Sequence, residues 1–329
     1  MRIFDGTAVD AALSYPALVD TLAAAFAKGA IAPPRHHHAV PLDGRPEATL
    51  LLMPAWEAAA PGSPLAGRYM GVKAVTVFPD NAAAHSQPAV LGSYILMSAE
   101  TGATLAVMDA TRLTAWRTAA ASALASRHLS RPDAARMLMV GAGALAPFLV
   151  RAHASVRPIR EVAVWNRSRP GAEAVVGELA RHGITATVAD DLAAAAAAAD
   201  IISAATLASE PLIRGVWLRP GTHVDTVGAF KPGMRETDDD VVRRARIFVD
   251  TRAGAFAEAG DIVQPLEAGV IGKEAVLGEL AELCRGTVAG RRAPEEITYF
   301  KSVGASIEDL AAAVAVYERI AGTGSLPPK

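Results

Sequence analysis

The fold of this chain is decided by one stretch, residues 136–169, which has the sequence RMLMVGAGALAPFLVRAHASVRPIREVAVWNRSR. Its first apolar run (137–140) has the length and character of a buried parallel strand. The loop GAGALA (141–146) follows, a helix with apolar periodicity begins at once, and a second strand-like run (161–165) comes after it. This order predicts a βαβ unit whose glycines let the backbone approach a pyrophosphate at a helix N-terminus. The alternative is a tight structural turn in an α/β domain.

The polar turn after the second strand indicates which dinucleotide binds. Folds that prefer NAD usually carry Asp or Glu at this point, whereas a nearby Arg suits the 2′-phosphate of NADP. This turn has no carboxylate and instead contains Asn166, Arg167, Ser168 and Arg169. A guanidinium can make paired, charge-assisted hydrogen bonds to a phosphate. The turn therefore predicts NADPH, with NADH as the alternative if the two arginines are ordinary surface charges.

Composition limits the class of protein. A chain of 329 residues with 51% apolar and 20% charged residues is expected to fold into about two domains. The net charge of −2 offers no broad basic field for nucleic acid or an anionic membrane. The single cysteine, Cys284, excludes an internal disulfide and fits a reducing cytosol. The first residues do not have the pattern of a signal peptide, and no uncharged apolar run reaches the length of a membrane span. These features predict a cytoplasmic protein.

The remaining sequence predicts two kinds of domain. Residues 15–28 have helical spacing, and strand-like runs at 49–53, 69–78, 89–98 and 104–109 are separated by turns, which indicates an α+β domain with antiparallel strands. After a helical segment at 112–129, strand-like runs alternate with helices, which indicates a mostly parallel sheet. The helix from Ser306 begins with Ser-x-x-Asp, a capping pattern, and its apolar stripe predicts a return to the first domain. We therefore expect an α/β protein: a Rossmann-type nucleotide domain at 123–304, and a second domain built from 1–122 and 305–329.

Two cations stand inside apolar sequence. Lys73 lies in MGVKAVTVF (70–78) and Arg117 in LTAWRTAAASAL (113–124). Charged side chains in such surroundings are usually buried only with a partner. They form either a structural salt bridge or a pair of cations that binds a substrate carboxylate, and the residues alone leave both interpretations open. The histidines at 36–38 do not predict a metal site, because consecutive strand residues point to opposite faces.

Four ordered segments resemble the ornithine cyclodeaminase/μ-crystallin family: GVKAVTVFPDN (71–81), TAWRTAAASALA (114–125), VGAGALA (140–146) and TYFKSVGASIEDLAAA (298–313). The resemblance extends over nearly the whole chain. It implies a Rossmann-type nucleotide domain, a substrate-binding and dimerisation domain made from both chain ends, and homodimers. It also implies hydride transfer between a nicotinamide and the Cα of an amino or imino acid.

The resemblance assigns roles to individual residues. The cations for the substrate carboxylate fall on Lys73 and Arg117, with Arg35 a third, and Val303 lies where the family lines the substrate side. The positions expected to contact the nucleotide are Gly141, Ala142, Gly143, Ala144, Leu145, Asn166, Arg167, Ser168, Thr206, Gly228 and Ser302.

One departure from the family pattern bears on the chemistry. Family members that cyclise ornithine carry Asp where this chain has Phe230, and phenylalanine can neither exchange a proton nor pair with an ammonium. Without that carboxylate, the resemblance implies a ketimine reductase of amino-acid and proline metabolism. Such an enzyme would reduce Δ1-pyrroline-2-carboxylate or Δ1-piperideine-2-carboxylate with NADPH. Lys73 is a candidate proton donor if its pKa is lowered. The alternatives are ornithine cyclodeamination, an alanine or N-alkyl-amino-acid dehydrogenase, and an NADPH-dependent small-ligand-binding protein like μ-crystallin.

Overall fold

A computed structural model describes residues 1–57 and 67–322. The elements of the first part are Arg2–Phe4 (β1), Gly6–Ala12 (α1), Tyr15–Lys28 (α2), Ala30–Ile31 (β2), His36–Val40 (β3), Ala48–Glu57 (β4), Tyr69–Val77 (β5), Asn81–His85 (α3), Val90–Ser98 (β6), Thr104–Asp109 (β7) and Ala110–Leu129 (α4). Next come Arg136–Val140 (β8), Ala146–Val156 (α5), Glu161–Trp165 (β9), Arg169–Arg181 (α6), Ala186–Val188 (β10), Leu192–Ala198 (α7) and Ile201–Ala204 (β11). The last are His223–Thr226 (β12), Asp239–Arg244 (α8), Arg246–Val249 (β13), Arg252–Glu258 (α9), Gly260–Glu267 (α10), Val276–Glu279 (β14), Leu280–Arg285 (α11), Thr298–Lys301 (β15) and Ser306–Ala321 (α12).

The chain divides into two compact units. The first is Met1–Arg117 with Ala305–Lys329, and the second is Thr118–Gly304, so that the boundary falls inside α4. The assignment of substrate binding and dimerisation to the first unit stays a prediction.

The first unit is built on a mainly antiparallel sheet of seven strands in the order β1-β7-β6-β5-β4-β2, with β3 also paired to β4. Side chains alternate between the two faces of such a sheet. On the inner face Met53, Lys73, Tyr94 and Met108 follow one another across the strands and are buried. Helices α2 and α12 contact each other, and α12 packs on β5, so the C-terminal helix belongs to this unit as the sequence predicts.

The predicted cap of α12 is wrong. The N-cap position is Ala305, not Ser306, and no side chain caps the helix there. The Ser-x-x-Asp pattern does not cap the helix because Asp309 is engaged elsewhere, in ion pairs with Lys73 and Arg117.

The second unit is a parallel sheet of eight strands in the order β10-β9-β8-β11-β12-β15-β13-β14. Its central strands are short and almost completely buried, as expected of a parallel sheet covered by helices. Strand β8 pairs with β11, and β12 pairs with β15, all in parallel. Because the strands run in the same direction, the residues that follow them gather along one edge of the sheet. The predicted α/β class with a Rossmann-type parallel sheet is confirmed.

Within the described residues no single helix has the length and apolar character of a membrane span. Helices α1 and α2 meet those criteria only when taken together, and they are bent by 86° against each other.

Candidate active site

The loop between β8 and α5 has the backbone of a nucleotide cradle. Gly141 has φ +102°, and a Cβ there would lie 2.7 Å from the carbonyl oxygen of Ala205, so only glycine fits. Gly143 is exposed with open space around it. Helix α5 starts at Ala146 with Pro147 in its first turn, and Leu145 at the N-cap position offers no side-chain acceptor to the helix N–H groups. These N–H groups and the open cradle fit a pyrophosphate.

A cavity of about 420 Å³ opens beside this loop. It is lined by Gly141, Ala142, Gly143, Trp165, Asn166, Arg167, Ala205, Thr206, Leu207, Ala208 and Leu212. The structure thus brings together six of the positions expected to contact the nucleotide, from the ends of three neighbouring strands. The segment 207–212, which forms one wall, was not anticipated from the sequence, since it carries no motif.

The two arginines of the polar turn differ in their surroundings. Arg169 is tied down at the surface, where its Nε lies 3.0 Å from Glu173 and its Nη1 contacts Asp190. Arg167 is exposed and lines the cavity, next to Asn166. The amide of Asn166 donates to the carbonyl of Ser168 at 3.0 Å, which shapes the turn. Of the two arginines, Arg167 is therefore the one that lies at the cavity.

A second loop, residues 227–233, follows β12 and carries Phe230, whose side chain is 39% exposed. Gly228 in this loop cannot be replaced, since a Cβ would lie 2.2 Å from the carbonyl oxygen of Thr206. Ala229 adopts φ +44°, an uncommon conformation for a residue with a side chain.

A buried charged cluster that the sequence did not predict contacts this second loop at Gly228 and the chain after β11 at Thr206. The ammonium of Lys301 donates to the carbonyl oxygen of Gly228 and lies 3.2 Å from Asp261 and 3.7 Å from Glu236. All three charged side chains have no exposed surface. Burial raises the pKa of Glu236 to about 7, Lys301 opposes the rise and Asp261 adds to it.

The turn after β15 is held by one carboxylate. Asp250 accepts hydrogen bonds from the Ser302 hydroxyl at 3.1 Å and from the backbone N–H groups of Val303 at 2.9 Å and Gly304 at 2.7 Å. Ser302 and Val303 are both buried. Neither Ser302 nor Gly228 is among the residues that line the 420 Å³ cavity.

The predicted substrate cations lie together in the first unit. Lys73 on β5 and Arg117 on α4 are 2% and 5% exposed, and both contact the same carboxylate, Asp309 on α12. The Lys73 ammonium lies 2.8 Å from Asp309, and the Arg117 guanidinium lies 2.9 Å from Asp309 and 2.6 Å from Glu308. The geometry is therefore compatible with both interpretations of these cations. They form a buried salt bridge with the two carboxylates, and they also lie close together as a cationic pair.

The environment of Lys73 changes its acidity. Burial, together with the positive charges of Arg117 and Arg35, lowers the pKa of Lys73 from 10.5 to about 8, while Asp309 opposes the change. This meets the condition under which Lys73 is a candidate proton donor. Arg35, half-buried before β3, is near enough for its charge to act on Lys73.

Sequence reasoning missed Glu308 and Asp309 as partners of the two cations. The available signal was two adjacent acids at the start of an apolar helix in SIEDLAAA (306–313), which the capping pattern obscured. The histidines at 36–38 lie side by side on β3 and are exposed. In the described residues, no group of three or more His, Cys, Asp or Glu side chains is arranged to hold a metal ion.

Comparison with known proteins places this geometry in a family. The model of the ornithine cyclodeaminase/mu-crystallin family matches residues 6–324. The chain is 40% identical to the Δ1-pyrroline-2-carboxylate reductase of Paracoccus denitrificans, over 85% of this chain and 86% of that protein. It is 35% identical to the enzyme of the same name from Colwellia psychrerythraea, over 98% of this chain and all of that protein.

A solved structure agrees over the full length. The Δ1-pyrroline-2-carboxylate reductase of Thermococcus litoralis, in complex with NADH and L-proline, matches with a TM-score of 0.89 and 31% identity, covering 100% of both chains. The predicted family is thereby confirmed. With its glycine cradle, its parallel sheet and its buried cationic pair, this chain belongs to the ornithine cyclodeaminase/mu-crystallin family.

Proposed function

We propose that this protein reduces a cyclic imino acid, Δ1-pyrroline-2-carboxylate or Δ1-piperideine-2-carboxylate, to L-proline or L-pipecolate, with NADPH as the reductant. Oxidoreductase chemistry at a carbon–nitrogen bond is what the named relatives have in common. The observation that carries the proposal is the pair of buried cations, Lys73 and Arg117, held together on Asp309. Two adjacent cations in a dry site suit a substrate that carries one carboxylate.

Each feature of the chain has a part in this reaction. Lys73 and Arg117 bind the substrate carboxylate and so fix the orientation of the imine. When bound in the nucleotide cradle, NADPH supplies the hydride for the carbon of the C=N bond. The imine nitrogen takes up one proton, and Lys73, whose pKa lies near 8, is the group we propose to donate it. Phe230 offers no carboxylate for a substrate amine, which disfavours ornithine as the substrate.

A panel of substrates tests the proposal. Purified protein is mixed with NADPH and, in separate reactions, with pyrroline-2-carboxylate, piperideine-2-carboxylate, or pyruvate with ammonia or methylamine, and the loss of NADPH absorbance is followed. We expect a cyclic imino acid to be reduced fastest. Faster turnover of pyruvate with an amine would identify an amino-acid dehydrogenase instead. Proline release from ornithine with NAD⁺ would overturn the interpretation of Phe230, and NADPH binding without any reduction would indicate a binding protein.

We base the proposed preference for NADPH on Arg167, which lines the cavity. The structure of the Thermococcus litoralis relative is a complex with NADH. Replacing Arg167 with alanine should weaken NADPH binding by about 1.5–3 kcal/mol, the contribution of a hydrogen bond to a charged group, and leave NADH binding unchanged. Isothermal titration with both nucleotides measures this. Arg169→Ala is the matched control, because Arg169 is occupied by Glu173 and Asp190 and should have little effect. Equal losses for both nucleotides in Arg167→Ala would contradict a 2′-phosphate role.

We further propose that the protein forms a homodimer through the outer face of the first unit's sheet. Pro54, Val72 and Ile95 follow one another across that face and are only half-buried. An apolar sheet face of this kind is a common interaction surface. Sedimentation analysis should give the mass of two chains, and a monomer at micromolar concentration would contradict the proposal.

A further inference from the structure

The buried cluster of Lys301, Glu236 and Asp261 connects two loops that follow the neighbouring strands β11 and β12. Glu236 accepts hydrogen bonds from the backbone N–H of Thr206 at 2.7 Å and from its hydroxyl at 2.8 Å. Lys301 donates to the carbonyl oxygen of Gly228, and its ammonium lies 3.7 Å from the Glu236 carboxylate. These hydrogen bonds tie the loop after β11 and the loop after β12 to the same buried cluster.

The third member anchors the cluster to the scaffold. Asp261 in the first turn of α10 accepts from the backbone N–H groups of Glu236 and Thr237, each at 2.8 Å, and from the Thr237 hydroxyl at 2.9 Å. The other oxygen of Asp261 faces Lys301 at 3.2 Å. The N–H of Gly260 donates to the carbonyl oxygen of Ala229 at 3.2 Å, so α10 also supports the second loop directly.

The free energy needed to bury these three charges indicates that the cluster does more than fill the core. Two carboxylates and one ammonium, all without exposed surface, are less favourable than an apolar core of the same volume. The cluster makes its hydrogen bonds to two backbone positions, Thr206 and Gly228. These two lie so close together that a Cβ at Gly228 would clash with the carbonyl oxygen of Thr206. Polar groups buried in this way specify one conformation of the backbone they bind.

We propose that Lys301 and Glu236 are positioning residues that hold the Thr206 and Gly228 loops in the conformation that binds the nicotinamide nucleotide. They do not touch the nucleotide themselves; they act through the two loops. The inference rests on the proposed function, since Thr206 lines the cavity beside the glycine cradle. It adds two residues that are not among the positions expected from the sequence to contact the nucleotide.

Paired substitutions of Glu236 separate the charge of its side chain from its hydrogen bonds to Thr206. Glu236→Gln keeps an oxygen that accepts from Thr206, and the dissociation constant for NADPH should stay within about threefold of the wild type. Glu236→Ala loses both bonds, and the dissociation constant should rise by at least about tenfold, with a lower kcat. Lys301→Met should resemble Glu236→Ala. If Lys301→Met does not fold, the two Glu236 variants decide the matter.

A control at the opposite edge of the same sheet distinguishes positioning from loss of stability. Asp200 is also a buried carboxylate, and it binds Arg131 at 2.9 Å and the backbone N–H groups of Ala135 and Arg136. Asp200→Asn should lower the midpoint of urea unfolding and leave the dissociation constant for NADPH unchanged. The positioning role would be overturned if Glu236→Ala folds and binds NADPH like the wild type, or if Asp200→Asn binds NADPH as weakly as Glu236→Ala does. In either case the proposed function would still stand. A wild-type protein that binds neither NADPH nor NADH would overturn the proposed function, and this inference with it.

Discussion

Replacement of Arg117 by alanine is expected to lower kcat/KM for the imino acid by roughly 10²- to 10³-fold, the effect of removing one partner from a buried charge pair. The same substitution leaves Glu308 and Asp309 buried with one cation fewer, so the free energy of unfolding should fall by about 3–5 kcal/mol. Both effects come from one side chain because Arg117 holds two carboxylates in the structure and is proposed to hold a third in the complex.

A second variant separates these two effects. Arg117→Lys restores a positive charge near Asp309 but not the planar fork that can bind two oxygens at once. We expect it to recover much of the stability, measured by urea unfolding, and little of the turnover. If recovery of stability brings full recovery of kcat/KM, then Arg117 serves only as a structural salt bridge, and its proposed role in binding substrate is wrong.

The second large effect concerns pH and Lys73. Since burial lowers the pKa of Lys73 to about 8, its ammonium is lost as the pH rises through 8, and kcat/KM should fall about tenfold for each further pH unit. In Lys73→Arg the charge persists throughout this pH range but cannot be given up as a proton, so kcat/KM should be low at every pH and this alkaline fall should disappear. Rates are measured from pH 6 to 10 with the dissociation constant of NADPH followed in parallel.

Loss of folding would not explain such a profile. The folded pKa of Lys73 lies below its unfolded value of 10.5, so between about pH 8 and 10.5 the unfolded chain binds more protons at this residue. Stability therefore rises with pH through this window as far as Lys73 is concerned. An alkaline fall in kcat/KM that is identical in the wild type and in Lys73→Arg would come from the imine itself or from another group, and would exclude Lys73 as the proton donor.

Much of the nucleotide-binding unit could be predicted from local sequence. The strand, the glycine loop, the helix and the turn at 166–168 lie within 34 consecutive residues, and each is specified by its own composition. Gly141 is an example: its φ of +102° and its contact with Ala205 are what a glycine in that motif implies. The family resemblance, which rests on four ordered segments, extended this prediction to the whole fold.

The partners of the buried charges could not be predicted in this way. Lys73, Arg117 and Asp309 are separated by up to 236 positions in the sequence, and they meet only because β5, the part of α4 up to Arg117, and α12 belong to one compact unit. The capping pattern at Ser306 predicted a local role for Asp309, but the start of α12 is buried and Asp309 pairs there with two buried cations, which need a carboxylate partner.

The sequence by itself therefore determined the parallel α/β architecture, the glycine cradle, and the turn without a carboxylate on which the proposal of NADPH rests. Each of these depends on neighbouring residues and on backbone conformations that a short segment specifies. Only the tertiary structure decided that Arg167 rather than Arg169 faces the cavity, that Lys73 and Arg117 share Asp309, and that Lys301 ties two loops together. The reason is physical: the energy of a buried charge depends on what surrounds it in space, and those surroundings come from distant parts of the chain.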